Sequence, residues 1–212
     1  MYKKTFLIVS MLLVYAGVLS QSVNDIFEKD TPIVFLGLDL SGAKFIGDRE
    51  RYGSESDIRT LMNSWNTLIE TEKQKFNIAG MLGKDKVDYN IDITRNHNNE
   101  LEISDMLTDK ISDHIHLRKE NIMEIVAGYD FEKATGIGLM LNVESFNKTN
   151  VEALVWFTFI DLASKEVMFT ERLSEPPGGL GMRNYWANAV YGMITKVKKK
   201  EYEMWRKKYQ HK

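Results

Sequence analysis

Residues 136–173 read GIGLMLNVESFNKTNVEALVWFTFIDLASKEVMFTERL, and this stretch decides the fold. Gly136 to Phe146, Val151 to Asp161 and Glu166 to Leu173 are apolar runs rich in β-branched and aromatic residues, which is strand composition. Phe146-Asn147-Lys148-Thr149-Asn150 and Leu162-Ala163-Ser164-Lys165 separate them. Neither segment is long enough for a crossover helix, so the three strands are expected to pair antiparallel as a meander. Val155-Trp156-Phe157-Thr158-Phe159-Ile160 is apolar on both alternations. Such a strand needs cover on both faces and belongs inside the sheet.

Upstream, Pro32 introduces Ile33–Leu40, a short apolar run that reads as a buried strand. Ser41 to Gly53 reads as a loop, with Gly42, Gly47 and Gly53. Ser54, with Asp57 three residues on, can cap a helix. Ile58, Leu61, Met62, Trp65, Leu68, Ile69 and Phe76 extend that helix over about 54–77. Val87, Tyr89, Ile91 and Ile93 alternate with polar residues, the pattern of a half-buried strand, and Arg95 to Asn99 reads as a turn. Residues 101–117 fit a strand end and a short helix. Lys119–Ala127 reads as a helix closed by Gly128. After Pro176-Pro177-Gly178-Gly179 breaks the chain, Trp186, Val190, Met193, Val197 and Met204 follow helical spacing from about Met182 to Tyr209. The first half of that helix is expected to pack on the sheet. The second half, charged nearly all round past Lys196, is expected to project. The fold class is α/β (α+β): a single mixed sheet of about five strands packed by helices, with a long C-terminal helix.

The 212 residues have room for one such domain. With no cysteine, disulfides, thiolate metal sites and a cysteine nucleophile are excluded. A net charge of −2 does not favour nucleic acid as a partner. Lys3 and Lys4 precede an apolar run from Thr5 to Leu19, with small residues at Ser20 and Ser22. That is the layout of a cleaved signal peptide over residues 1–22, and the run is shorter than a membrane span. Residues 23–212 then form the domain, and the expected location is the periplasm or the outside of the cell, without a lipid anchor. Residues 196–212 carry eight basic and two acidic side chains, +6, against about −10 for residues 21–195. This is a basic helix extension on an acidic body.

Two motifs carry a resemblance. Gly136-Ile137-Gly138 leads into Val143-Glu144-Ser145-Phe146-Asn147-Lys148, and Phe159-Ile160-Asp161, a turn and Lys165-Glu166-Val167 lead to Gly178-Gly179-Leu180-Gly181-Met182-Arg183-Asn184-Tyr185-Trp186-Ala187. Together they resemble a group of uncharacterised secreted proteins of Bacteroidetes, mainly over residues 130–190. That resemblance implies no activity. The hairpin made by a strand ending in Asp161, a short turn and a return strand from Val167 to Arg172 is similar in architecture to the TolB N-terminal domain and to the lipoprotein activators of penicillin-binding proteins. Those are envelope binding modules, and the likeness is one of fold, which does not fix function.

Four features bear chemistry. Gly178, Gly179 and Gly181 turn into a helix whose N-terminal N–H groups, with Arg183, can hold an anion; Asn184, Tyr185 and Trp186 adjoin this turn and complete the candidate binding surface. His114 and His116 straddle Ile115 and are the candidates for a metal, although two ligands do not make a site. Asp39 and Asp161 lie at strand ends, as poised acids or as turn caps, and Glu144 reads as exposed in mid-strand. Trp205, with Tyr202 and Tyr209, lies among lysines and can meet an anionic membrane surface or stand in solvent. No Gly-x-Ser-x-Gly elbow and no nucleotide P-loop is present. The sequence therefore reads as an exported, non-enzymatic module without a cofactor, whose partner is another envelope protein or component. The alternatives are an enzyme or ligand-binding protein using the Gly178–Arg183 pocket, and a peripheral membrane protein held by residues 196–212.

Overall fold

The computed structural model describes residues 21–210, so the signal-peptide expectation falls almost wholly outside the described residues. The meander forms as expected: β5 (Ile137–Asn147), β6 (Glu152–Asp161) and β7 (Glu166–Glu175) pair antiparallel in order. β6 lies between its two neighbours. Val155, Phe157 and Phe159 face the main core, and Trp156 and Ile160 face a second, smaller one.

The other edge of β5 carries β1 (Ile33–Asp39) and β2 (Lys44–Ile46), both parallel to it. Asp39 pairs with Asn142 and Lys44 with Ser145. Residues 40–43 loop out while β5 advances by two residues, so one row of the sheet is filled by two strands. The outermost row is divided in the same way: β3 (Asp88–Tyr89) pairs with β1 and β4 (Leu107–Thr108) with β2, both parallel. The sheet is therefore mixed, and it has seven strands rather than five. The loop expected over 41–53 contains β2 and a 3-10 turn at Arg49–Arg51.

The strand expected over 87–94 is corrected. After Tyr89 the chain turns into helix α4 (Asp92–Asn99), which also occupies the expected turn at 95–99. Side chains then do what a longer strand would have done. The Leu36 carbonyl accepts from Thr94 Oγ1 at 2.5 Å, the Leu38 carbonyl from Asn98 Nδ2 at 2.8 Å, and the Leu40 N–H donates to Asn98 Oδ1 at 2.9 Å. Asn66 clamps Leu38 from the helix above, accepting its N–H at 2.7 Å and donating to its carbonyl at 3.0 Å. All these groups are buried, where an unpaired backbone group is costly. Gly37 makes this approach possible. It holds φ +90°, and a Cβ there would lie 2.6 Å from Asn66 Oδ1.

Seven further helices complete the described chain. α1 (Val23–Phe27) packs on the C-terminal helix. α2 (Glu55–Thr71) starts with the expected Ser54/Asp57 capping box and buries Ile58, Met62, Trp65, Leu68 and Ile69. It ends before the expected residue 77, and Phe76 is buried from the turn that leads to α3 (Ile78–Met81). α5 (Ile103–Met106) precedes β4. α6 (Lys119–Gly128) covers the second face, setting Ile122 and Val126 with Tyr129 and Phe131 against Leu36, Met140, Trp156 and Ile160.

The long last helix consists of α7 (Met182–Lys196), a π turn at Val197–Glu201 and α8 (Tyr202–Tyr209). Its second half does not project. The π turn adds one residue to the helical repeat, and the Tyr202 N–H bonds back to the Val197 carbonyl. Simple spacing from Val197 points Met204 inward. The added residue rotates Tyr202, Trp205 and Tyr209 inward instead and leaves Met204 46% exposed. Trp205 is 3% exposed and packs on Phe157, Phe159 and Phe169, and Tyr209 stacks on Phe169 at 4.4 Å. Among the described residues no helix is long and apolar enough to cross a membrane.

Candidate functional site

The glycine turn is built on a rigid base. Trp186, fully buried, stacks on Phe146 at 4.6 Å, and Trp65 meets the same ring edge-on at 5.1 Å. Trp65 Nε1 donates to the Arg183 carbonyl at 3.0 Å, tying the first turn of α7 to α2. The Gly178 N–H donates to the Tyr185 carbonyl at 3.1 Å, which closes the loop on itself. Gly179 and Gly181 hold φ +97° and +77°, conformations that disfavour any side chain. Gly181 is the N-cap, with no side-chain cap hydrogen bond, and the first turn carries no acid.

On this base Leu180 stands 91% exposed. Arg183 and Asn184 are exposed beside it, with Arg183 Nε donating to Asn184 Oδ1 at 3.3 Å. Tyr185 is half-buried against Trp186. The structure thus brings Gly178, Gly179, Gly181, Arg183, Asn184 and Tyr185 together around one exposed leucine. Trp186 leaves the surface set, because its ring belongs to the core. Sequence reading misses Leu180, although an apolar residue between glycines in a polar turn has no core to enter.

The histidines separate. His114, on a 3-10 turn at Ile111–His114, is buried, with Nδ1 2.7 Å from Ser145 Oγ and Nε2 2.9 Å from Glu152 Oε2. Ser145 Oγ also donates to the His114 carbonyl at 3.0 Å, so the serine is held by both the ring and the backbone of the same residue. The hydrogen bond from His114 holds the Glu152 carboxyl below its ordinary value. This serine, histidine and glutamate match a hydrolase triad only in composition: Ser145 is fully buried and its hydroxyl proton is already donated. His116 instead donates from Nε2 to the Gly42 carbonyl at 2.9 Å. Among the described residues no group of three or more His, Asp or Glu side chains is placed to hold a metal.

The buried carboxylates are closed. Asp39 accepts from the Tyr129 hydroxyl at 2.7 Å, Asn142 Nδ2 at 2.8 Å, the Ser41 N–H at 3.1 Å and the Ser41 hydroxyl. Burial, and then Asp39, pushes the Tyr129 hydroxyl far above its usual range. Asn142 passes the network to Thr158 and Thr170 across the sheet. Glu144 is fully buried, not exposed as its sequence position implied. It accepts from the N–H groups of His116 and Leu117 at 2.8 and 2.9 Å, from Trp156 Nε1 at 2.8 Å and from Arg172 Nη1 at 3.3 Å. Asp161 caps its own turn, accepting from Ala163 and Ser164, and also receives the Gln21 N–H. These acids fasten loops to the sheet.

No family model and no curated protein matches the chain. Among solved structures, lipoprotein GNA1162 from Neisseria meningitidis is similar at 11% identity and a TM-score of 0.32, over 80% of this chain and 98% of that one. The LpoB C-terminal domain from Salmonella enterica is similar at 9% identity and a TM-score of 0.23, over 69% of this chain and 82% of that one. Likenesses this distant transfer no function.

Proposed function

We propose that this chain is an exported, non-enzymatic envelope protein that binds another envelope protein through the Gly178–Tyr185 turn. The observation that carries the reading is Leu180, 91% exposed on a turn braced by Trp65, Trp186 and the Gly178–Tyr185 hydrogen bond. An apolar anchor presented on a pre-organised loop and flanked by Arg183 is the composition of an interface hot spot. The closed hydrogen bonding of Asp39, Glu144 and Ser145 supports the non-enzymatic half of the reading. The inward turn of Tyr202, Trp205 and Tyr209 takes from the basic helix the aromatic side chains that a membrane-lying face requires.

The test is in-cell crosslinking and pull-down from the native envelope with wild type, Leu180→Asp and Arg183→Ala. One specific partner, captured by wild type and lost in both folded variants, is the expected result. Capture that is indifferent to both changes overturns the proposed surface. Turnover of an envelope-derived substrate that a point change abolishes overturns the non-enzymatic reading.

A further inference from the structure

At the other end of α7 the surface carries a different chemistry. A hollow of about 420 Å³ lies between the α2–α3 connection and the π turn, lined by Gln74, Lys75, Asn77, Tyr191, Thr195 and Lys198, with Lys199 and Ile194 completing it. Every charge on its wall is positive. Lys198 and Lys199 make no ion pair among the described residues, and Lys75 has only Glu72, at 3.7 Å, outside the lining. The neighbouring hollow beyond Tyr191, by contrast, contains Glu175, which already pairs with Lys196 at 3.4 Å. The polar groups between the lysines can donate as well. Asn77 Oδ1 is used to cap α3, accepting from the Gly80 N–H at 2.6 Å, which leaves its Nδ2 to donate. Gln74 and Thr195 add an amide and a hydroxyl. Tyr191, 37% exposed, supplies an aromatic wall.

The π turn is an independent pointer to this place. π insertions are rare and concentrate at functional sites. Here the insertion spans Val197–Glu201, with Val197 buried and Lys198 and Lys199 exposed on the wall of the hollow.

We propose that this hollow binds a phosphate group carried on a small or lipid body. Lys198 and Lys199, with Lys75 beside them, match a doubly charged anion. The amide and hydroxyl donors suit an ion with several acceptor oxygens rather than a single carboxylate. The volume fits a small ligand, and the Tyr191 ring offers a face to whatever bears the phosphate. This site stands apart from the glycine turn and does not depend on the reading given to it.

Inorganic pyrophosphate is the first probe, titrated into purified protein at physiological salt and followed by calorimetry and by the amide signals of residues 74–77 and 195–199. Vesicles of phosphatidylglycerol in phosphatidylcholine are the second. Asn77→Asp is the decisive variant: aspartate caps α3 equally well, so the fold is kept while a carboxylate enters the hollow. Saturable one-to-one pyrophosphate binding, weakened at least tenfold by Asn77→Asp and by Lys198→Gln with Lys199→Gln, but unchanged in Lys207→Gln, is the expected result. Vesicle binding with the same sensitivities and no pyrophosphate binding assigns the phosphate to a lipid headgroup and upholds the site. No binding of either probe overturns the proposal. So does binding that ignores Asn77→Asp, or that falls equally in Lys207→Gln, because it is then diffuse charge attraction.

Discussion

Replacing Trp205 with alanine tests the register that the π turn imposes. The indole is 3% exposed and contacts Phe157, Phe159 and Phe169. A buried tryptophan removes roughly 200 Å² from water, worth about 5 kcal/mol at about 25 cal/mol per Å². Alanine keeps a small part of this and the helix relaxes somewhat, so the expected loss is about 3–5 kcal/mol. For a chain of this size that lowers Tm by roughly 10 °C. Met204→Ala is the control. A helix without the π turn buries Met204 and makes its truncation the costly one. With it, Met204 is 46% exposed and its truncation costs under about 0.5 kcal/mol. Urea unfolding followed by far-UV circular dichroism reads both. Equal effects for the two variants, or a larger effect for Met204→Ala, refute the register and with it the docking of α8. A wild-type-like Trp205→Ala restores the projecting helix that charge alone predicts.

Asn98→Ala leaves the buried Leu40 N–H without an acceptor while Asn66 still serves the Leu38 carbonyl, so about 1–3 kcal/mol is lost; faster amide exchange at Leu40 marks the opened edge, and unchanged exchange counts against the clamp. Glu144→Gln gives an amide that cannot accept from all the donors that converge there and costs about 2–3 kcal/mol. A near-UV signal change at Trp156 accompanies the loss, and a neutral result denies Glu144 its fastening role. For pH, the His114 hydrogen bond depresses the Glu152 carboxyl in the folded state from its ordinary 4.5. Its contribution is therefore complete above that value and is lost as pH falls through the lower folded one. Urea midpoints measured from pH 7 down to pH 3 fall less in Glu152→Gln than in wild type; parallel curves contradict the pairing.

The elements legible in the sequence are those whose own pattern determines them. The meander declares itself because three long apolar runs joined by short turns have one way to pair. The α2 start declares itself through Ser54 and Asp57. What escapes depends on distant partners. Ile91 and Ile93 alternate like a strand, yet the β1 edge beyond Phe35 is satisfied by Thr94, Asn98 and Asn66, and side-chain clamps leave no periodic trace. Glu144 looks exposed because alternation assigns it to a polar face, and only the 115–118 loop folding over it closes that face. Tyr202, Trp205 and Tyr209 do recur at helical spacing. They are out of phase with Trp186 to Val197, and a reader who assumes one uninterrupted α-helix discards them. The turn itself is legible because Gly178, Gly179 and Gly181 break the chain just before a helix; Leu180 at its tip becomes visible only through its exposure.

The two faces of the sheet divide the work, and that division leaves the outer side of α7 as the surface to which both proposals fall. The face under α6 is polar at its centre, with Asp39, Asn142, Thr158 and Thr170 bonded in series and Glu144 holding a loop, so its hydrogen-bonding capacity is consumed internally. The opposite face is apolar and grips Trp186, Val190, Met193, Val197 and Trp205 along the whole last helix. A helix gripped so continuously cannot tilt at one end without disturbing the other, and what remains free is its outer stripe. Leu180 stands on the turn before that stripe and Lys198 near its far part; from the start of α7 at Met182 to Lys198 is sixteen residues, or about 24 Å at about 1.5 Å per residue. At that separation a protein on the turn and a phosphate in the hollow do not compete for space. Changes at the two ends are therefore expected to add independently, so Leu180→Asp leaves phosphate binding intact and Asn77→Asp leaves the partner bound.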